Sequence, residues 1–188
     1  MQLALLCTFG ASATSRIIVR RTVPKAERHG HAPSHVGILD EDEGKWTYTE
    51  AHADSHQFGG PYPVSTLHKW MSQDDARAAW MVTIPSLAPN QIQEIRQKIR
   101  NNLGMLSYDR KHLAQFYLWS ITGLPIPENG GKMICSEVVS RLFYPAHNIP
   151  ACVLGTTGLY SRLSPWQVQQ YFKRRGEIKA LPHDSKEK

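Results

Sequence analysis

Lys132-Met133-Ile134-Cys135-Ser136-Glu137-Val138-Val139-Ser140-Arg141-Leu142-Phe143 sets one cysteine where a Gly130-Gly131 loop gives way to an apolar-periodic run. Val138, Val139, Leu142 and Phe143 follow helical spacing and Pro145 ends the run, which predicts a helix with Cys135 near its first turn. At a helix N-terminus the dipole and the unpaired N–H groups favour a thiolate. A nucleophilic cysteine also needs a base, itself oriented by a third group. The competing reading of Cys135 is a small buried hydrophobe, a common fate for cysteine. The polar Ser136-Glu137 flank and the glycine loop argue against it.

A candidate base lies far upstream. Ser34-His35-Val36-Gly37-Ile38-Leu39 and Lys45-Trp46-Thr47-Tyr48-Thr49-Glu50-Ala51 read as two strands joined by an acidic turn, Asp40 to Gly44. His35 opens one strand and Glu50 closes the other, and antiparallel pairing brings those ends side by side. A carboxylate there accepts an imidazole N–H and fixes the tautomer, leaving the other ring nitrogen for a thiol. His, carboxylate and a cysteine at a helix start form the arrangement used in cysteine hydrolysis. With nine histidines in the chain, a chance His–Glu pair is the standing alternative.

The remaining elements follow from pattern and punctuation. Leu3-Ala4-Leu5-Leu6-Cys7 lacks a basic leader and reads as a buried strand rather than a signal segment. In that strand Cys7 is a buried hydrophobe. Ser12 caps a short helix ending before Pro24, and the polar stretch that follows, as far as His35, reads as a loop. Residues 52–63 look irregular, with Gly59-Gly60-Pro61 as punctuation, and a short helix is expected over 65–71. Trp80 to Ile84 reads as a strand. Ile92, Ile95, Ile99 and Leu103 share one face of a helix from about Pro89 to Gly104. A second helix is expected over 112–121. Ser164-Pro165-Trp166-Gln167 is a capping box opening a helix that runs to about Arg175.

At 188 residues with 41% hydrophobic content, one self-sufficient domain is expected over 1–181, with a flexible tail over 182–188. Strands early and helices late suggest α+β. Three cysteines without a CxxC pair make neither a disulfide framework nor a zinc ribbon. A net charge of +6 suits either an ordinary basic surface or an acidic partner. No Lys/Arg block interleaves with aromatics, so no nucleic-acid partner is expected. No apolar stretch approaches the ~20 residues of a membrane span. His29, His31, His35, His52 and His56 crowd one region, but Gly59-Gly60 and the absence of HExxH argue against a metal site.

Taken in order, Ser34-His35-Val36-Gly37-Ile38, Thr49-Glu50-Ala51, Leu106-Ser107-Tyr108-Asp109 and Ile134-Cys135-Ser136-Glu137-Val138-Val139 resemble the motifs of one family. It is the circularly permuted NlpC-type papain-like cysteine hydrolases, with the YiiX-like amidases as the nearest branch. The resemblance runs from about residue 3 to about 175. It implies an α+β, permuted papain-like (NlpC-type) fold, an antiparallel sheet packed against helices, with the nucleophile at a helix N-terminus. It also implies Cys135 as nucleophile, His35 as base, Glu50 as its orienter, Tyr108 in the substrate pocket, and neither cofactor nor metal. Two departures touch the pocket: a longer, His- and Arg-rich loop before His35, and the glycine preceding the Tyr-Asp step displaced to Gly104.

The function so implied is cleavage of an amide or peptide bond through a thioester, with a cell-wall (peptidoglycan) peptide as substrate. A basic enzyme suits an anionic wall polymer. Two alternatives stay open: a lipid acyl hydrolase or acyltransferase of the lecithin retinol acyltransferase type, and a non-catalytic binding module on the same fold. A soluble protein is expected, cytoplasmic or phage-delivered rather than Sec-secreted.

Overall fold

The apolar run at the start of the chain becomes a central strand. The computed structural model describes residues 2–10, 12–28, 32–52, 57–64, 76–84, 87–105, 107–108, 118, 122, 132–147 and 163–180. Strand β1 (Gln2–Gly10) is bonded on both sides, to β2 (His35–Asp42) and to β5 (Ala76–Thr83). Leu3 to Cys7 are at most 1% exposed, which is why the run is continuous rather than alternating. Outward from β2 come β3 (Lys45–His52), β4 (Gln57–Pro63), β6 (Ser107–Tyr108) and β7 (Lys132–Met133), while β8 (Ile178–Ala180) closes the edge beyond β5. All neighbours in this eight-stranded sheet are antiparallel except β6 and β7.

Four α-helices are seen among the described residues: α1 (Ala13–Thr22), α2 (Pro89–Asn102), α3 (Cys135–Phe143) and α4 (Pro165–Lys173). Leu3, Leu5, Cys7, Val36, Ile38 and Ala51 form one core with Ile95 and Ile99 of α2, with α3, and with Val168 and Phe172 of α4. The intervening residues of the central strands, Ala4, Leu6, Leu39, Tyr48 and Met81, form a second cluster, as the two-residue pleat requires. The fold is α+β with its helices against an antiparallel sheet.

Helix α3 is buried along almost its whole length; only Arg141 is exposed. Each fully buried Val, Leu or Phe contributes about 1.5–3 kcal/mol, and Phe143 also meets Phe172 edge-on at 5.4 Å. Its polar members must then find partners. Ser136 Oγ donates to Leu163 O at 2.5 Å, and Ser140 Oγ donates to Ser136 O at 2.7 Å. The Ile134 N–H donates to Glu137 Oε2 at 2.8 Å. Glu137 thus serves the helix start.

Several elements differ from expectation. Strand β2 continues through the acidic stretch to Asp42, and the turn shrinks to Glu43-Gly44 with φ of 49° and 79°. The reason lies in α2: Arg96, 8% exposed, donates to Asp40 Oδ1 from Nη2 at 2.5 Å and from Nε at 3.1 Å. That charge makes an acidic strand tolerable. Residues 57–63 are not irregular but form β4. Pro61 is accommodated because, among the described residues, β4 meets its outer neighbour only at Gln57, so no ladder bond there needs its missing N–H. Strand β5 starts before Trp80, and β8 had no sequence signal. The helices expected over 65–71 and 112–121, and the tail, lie outside the described residues.

Candidate active site

The approach to His35 is fixed before the residue itself. The Ser34 N–H donates to Thr8 O at 2.9 Å, and the Gly10 N–H donates to Ser34 Oγ at 3.0 Å. Ser34 is 4% exposed, so these bonds are made away from water and tie the start of β2 to β1. On the other side of β2, Ile38 pairs with Thr49 and Leu39 with Tyr48. Glu50 therefore reaches the end of β3 opposite the start of β2. His35 Nε2 and Glu50 Oε2 are 2.8 Å apart, with side-chain exposures of 18% and 9%.

Gly37 makes that approach possible. A Cβ at this position would lie 2.8 Å from Thr49 O and 3.1 Å from the Glu50 Cβ. No other residue leaves β3 where it is. Ser34 and Gly37 stand out in the sequence only as members of the Ser34–Ile38 motif. A glycine inside a strand pattern, which marks close backbone approach, was the available signal.

Cys135 is the first residue of α3 and is 5% exposed. The cap residue is Ile134, whose side chain accepts no hydrogen bond from the first N–H groups of the helix. The Glu137 carboxylate accepts instead from the Ile134 N–H. Cys135 acts on the His35 imidazole through its charge and a hydrogen bond. Because Nε2 is engaged with Glu50, Nδ1 is the ring nitrogen left for the thiol.

The His35 imidazole titrates well above 6.5. Burial is the largest single influence and disfavours the charged ring; the charge and hydrogen bond of Cys135, with those of Glu50, together outweigh it. Cys7 is the contrast. It is fully buried in β1, and desolvation drives its thiol far up despite a hydrogen bond with Gln169. It stays a protonated core residue. Cys152 lies outside the described residues.

The backbone of Tyr108 sits in β6, paired with Met133 of β7, two residues before Cys135. Its side chain is outside the described set. Of the histidines considered as metal ligands, His29, His31 and His56 and the side chain of His52 are also outside it. Among the described residues no group of three or more His, Cys, Asp or Glu side chains assembles as a metal ion requires. None of the described helices is long and apolar enough to cross a membrane.

No protein-family model matches the chain, and no curated protein matches it either. Among solved structures it is similar to the crystal structure of metalloprotein yiiX from Escherichia coli O157:H7 (DUF1105). The TM-score is 0.53 at 19% identity, over 79% of this chain and 68% of that one. The donors a metal would need are not brought together among the described residues here. The likeness is one of fold alone: an α+β structure similar to that of yiiX.

Proposed function

We propose that the protein is a cysteine hydrolase that cleaves an amide or peptide bond through a thioester. One observation carries this reading: the His35 imidazole meets the Glu50 carboxylate at 2.8 Å and also interacts with Cys135, the first residue of α3. The order of these residues along the chain, His then Glu then Cys, matches a permuted form of the papain-like arrangement.

In the first half-reaction the proton of the Cys135 thiol resides on His35, and the sulfur attacks the acyl carbonyl carbon. The S–C bond forms while charge develops on the carbonyl oxygen. The N–H of Cys135, at the uncapped helix start, is placed to receive that charge. The C–N bond then breaks, and His35 returns its proton to the leaving amine. In the second half-reaction His35 deprotonates a water that attacks the thioester, the S–C bond breaks, and the sulfur recovers a proton. Glu50 holds the imidazole in one tautomer and compensates its charge at each stage.

The substrate class is a stem peptide of peptidoglycan. The support is a net charge of +6, which suits an anionic wall, together with the motif resemblance. The test is release of soluble peptides from purified sacculi, with the new carboxyl ends identified by mass spectrometry. Release by the wild type and none by Cys135→Ala is the expected result. Equal release by both would sink the assignment.

A further inference from the structure

Across β2, β3 and β4, Glu50 lies in a row whose other two positions are glycines; beyond them the row continues on β1 with Leu6, the partner of Gly37. Its register partner on β4 is Gly59. On β2, Gly37 faces it so closely that a Cβ there would come 3.1 Å from the Glu50 Cβ. Register partners share a face of the sheet, so the strip across β2, β3 and β4 carries one side chain, the Glu50 carboxylate. His35, two residues before Gly37, belongs to the same face by the pleat.

Tyr62 fills the space over Gly59. A Cβ added to Gly59 would overlap the Tyr62 hydroxyl and come 3.4 Å from Cζ of the same ring. Tyr62 pairs in register with Tyr48, and their rings are 5.3 Å apart at 49°. The register shift between Tyr48 and Glu50, with Gly60 at φ +126°, lets the phenol lean back along the strand towards the Glu50 row. Tyr48 is buried at 7% exposure, whereas Tyr62 is 41% exposed. Among the described residues no hydrogen-bond partner is found for the Tyr62 hydroxyl. A partly exposed tyrosine thus lies over Gly59, the register partner of Glu50.

We propose that Tyr62 is a substrate-binding residue of the Cys135–His35–Glu50 site, donating its hydroxyl proton to a carbonyl or carboxylate oxygen of the bound peptide. The proposal rests on the hydrolase reading above. It assigns the substrate an acceptor oxygen on the β4 side of the reacting bond. The phenol anchors the peptide and takes no part in proton transfer, so its loss acts on binding.

The test compares wild type with Tyr62→Phe, which keeps the ring and its packing on Tyr48. Two substrates are used: p-nitrophenyl acetate, too small to reach Tyr62, and stem peptides released from sacculi. The ester is expected to give a Cys135-dependent burst of equal size in both proteins. For the peptides, KM is expected to rise about five- to tenfold in Tyr62→Phe, the effect of one lost hydrogen bond, with kcat within about twofold. The pH profile of kcat/KM should not move. No burst from wild type would overturn the hydrolase reading and this proposal with it. A normal burst with unchanged peptide KM would overturn the role of Tyr62 alone. A fall in kcat with a displaced pH profile would overturn it too, in favour of a residue that positions Glu50.

Discussion

His35 Nε2 meets Glu50 Oε2 at 2.8 Å, and that one contact decides which ring nitrogen faces Cys135. With Nε2 committed, a proton taken from the thiol is carried on Nδ1, and the resulting imidazolium is held by a carboxylate that is 9% exposed. At such burial the pair is little screened by salt. The carboxylate therefore tunes the ring as well as orienting it.

Replacing Glu50 by Gln keeps a hydrogen-bond acceptor and removes the charge. The His35 pKa is expected to fall, since both the hydrogen bond and the charge of Glu50 raise it. Peptide turnover is expected to drop by about 10²- to 10⁴-fold, the usual worth of positioned proton transfer. Imidazole titration by NMR and steady-state kinetics read the two effects. A Glu50→Gln protein with both unchanged would take Glu50 out of the site.

Stability should depend on pH through the same ring. The folded protein holds the His35 proton more tightly than the unfolded chain, whose histidines titrate near 6.5. This contribution is fully present below about pH 6.5 and is lost as pH rises from there through the folded-state value. The urea midpoint of wild type is expected to fall over that window, and that of His35→Ala to be flatter. Parallel curves for the two proteins would contradict the assignment of the raised value to His35.

Cys135 and Cys7 should separate cleanly towards iodoacetamide. Cys135 opens a helix beside His35, while Cys7 is at 0% exposure in the central strand with its thiol held protonated. Peptide mapping is expected to find Cys135 alkylated in the native protein and Cys7 only after unfolding. His35→Ala is expected to slow the Cys135 reaction by about tenfold or more, because the proposed partner of the thiol proton is removed. Equal rates at Cys135 and Cys7 would end the activated-thiol reading.

Local signals were readable wherever local physics decides structure. The Ser164–Gln167 box forms both of its bonds, at 2.8 and 3.2 Å. The hairpin that brings Glu50 to His35 follows from alternation, and Cys135 at a helix start follows from apolar spacing. Signals that depend on distant partners misled. Asp40 to Gly44 looked like a turn because Arg96, which holds Asp40, is 56 residues away. Gly59-Gly60-Pro61 looked like a break because composition cannot tell which side of a strand is left unbonded. The roles of Ser34 and Gly37 depend on β1 and β3 and became visible only with the register.

Gly37 offers the sharpest separation of site from scaffold. In Gly37→Ala the new methyl meets backbone, Thr49 O at 2.8 Å, as well as the Glu50 Cβ at 3.1 Å. Neither can swing away as a flexible side-chain tip would, so β3 must move outward from β2. Overpacking of this kind costs about 1–3 kcal/mol, and the displaced segment is the one that carries Glu50. Gly44→Ala supplies the control: its φ of +79° strains an alanine by about 1 kcal/mol, yet nothing lies within 4 Å of the added methyl. Denaturant midpoints should therefore fall in both variants, while peptide turnover per folded molecule falls only in Gly37→Ala. If both variants lost stability and neither lost activity, the Glu50–His35 distance would not be what limits the reaction.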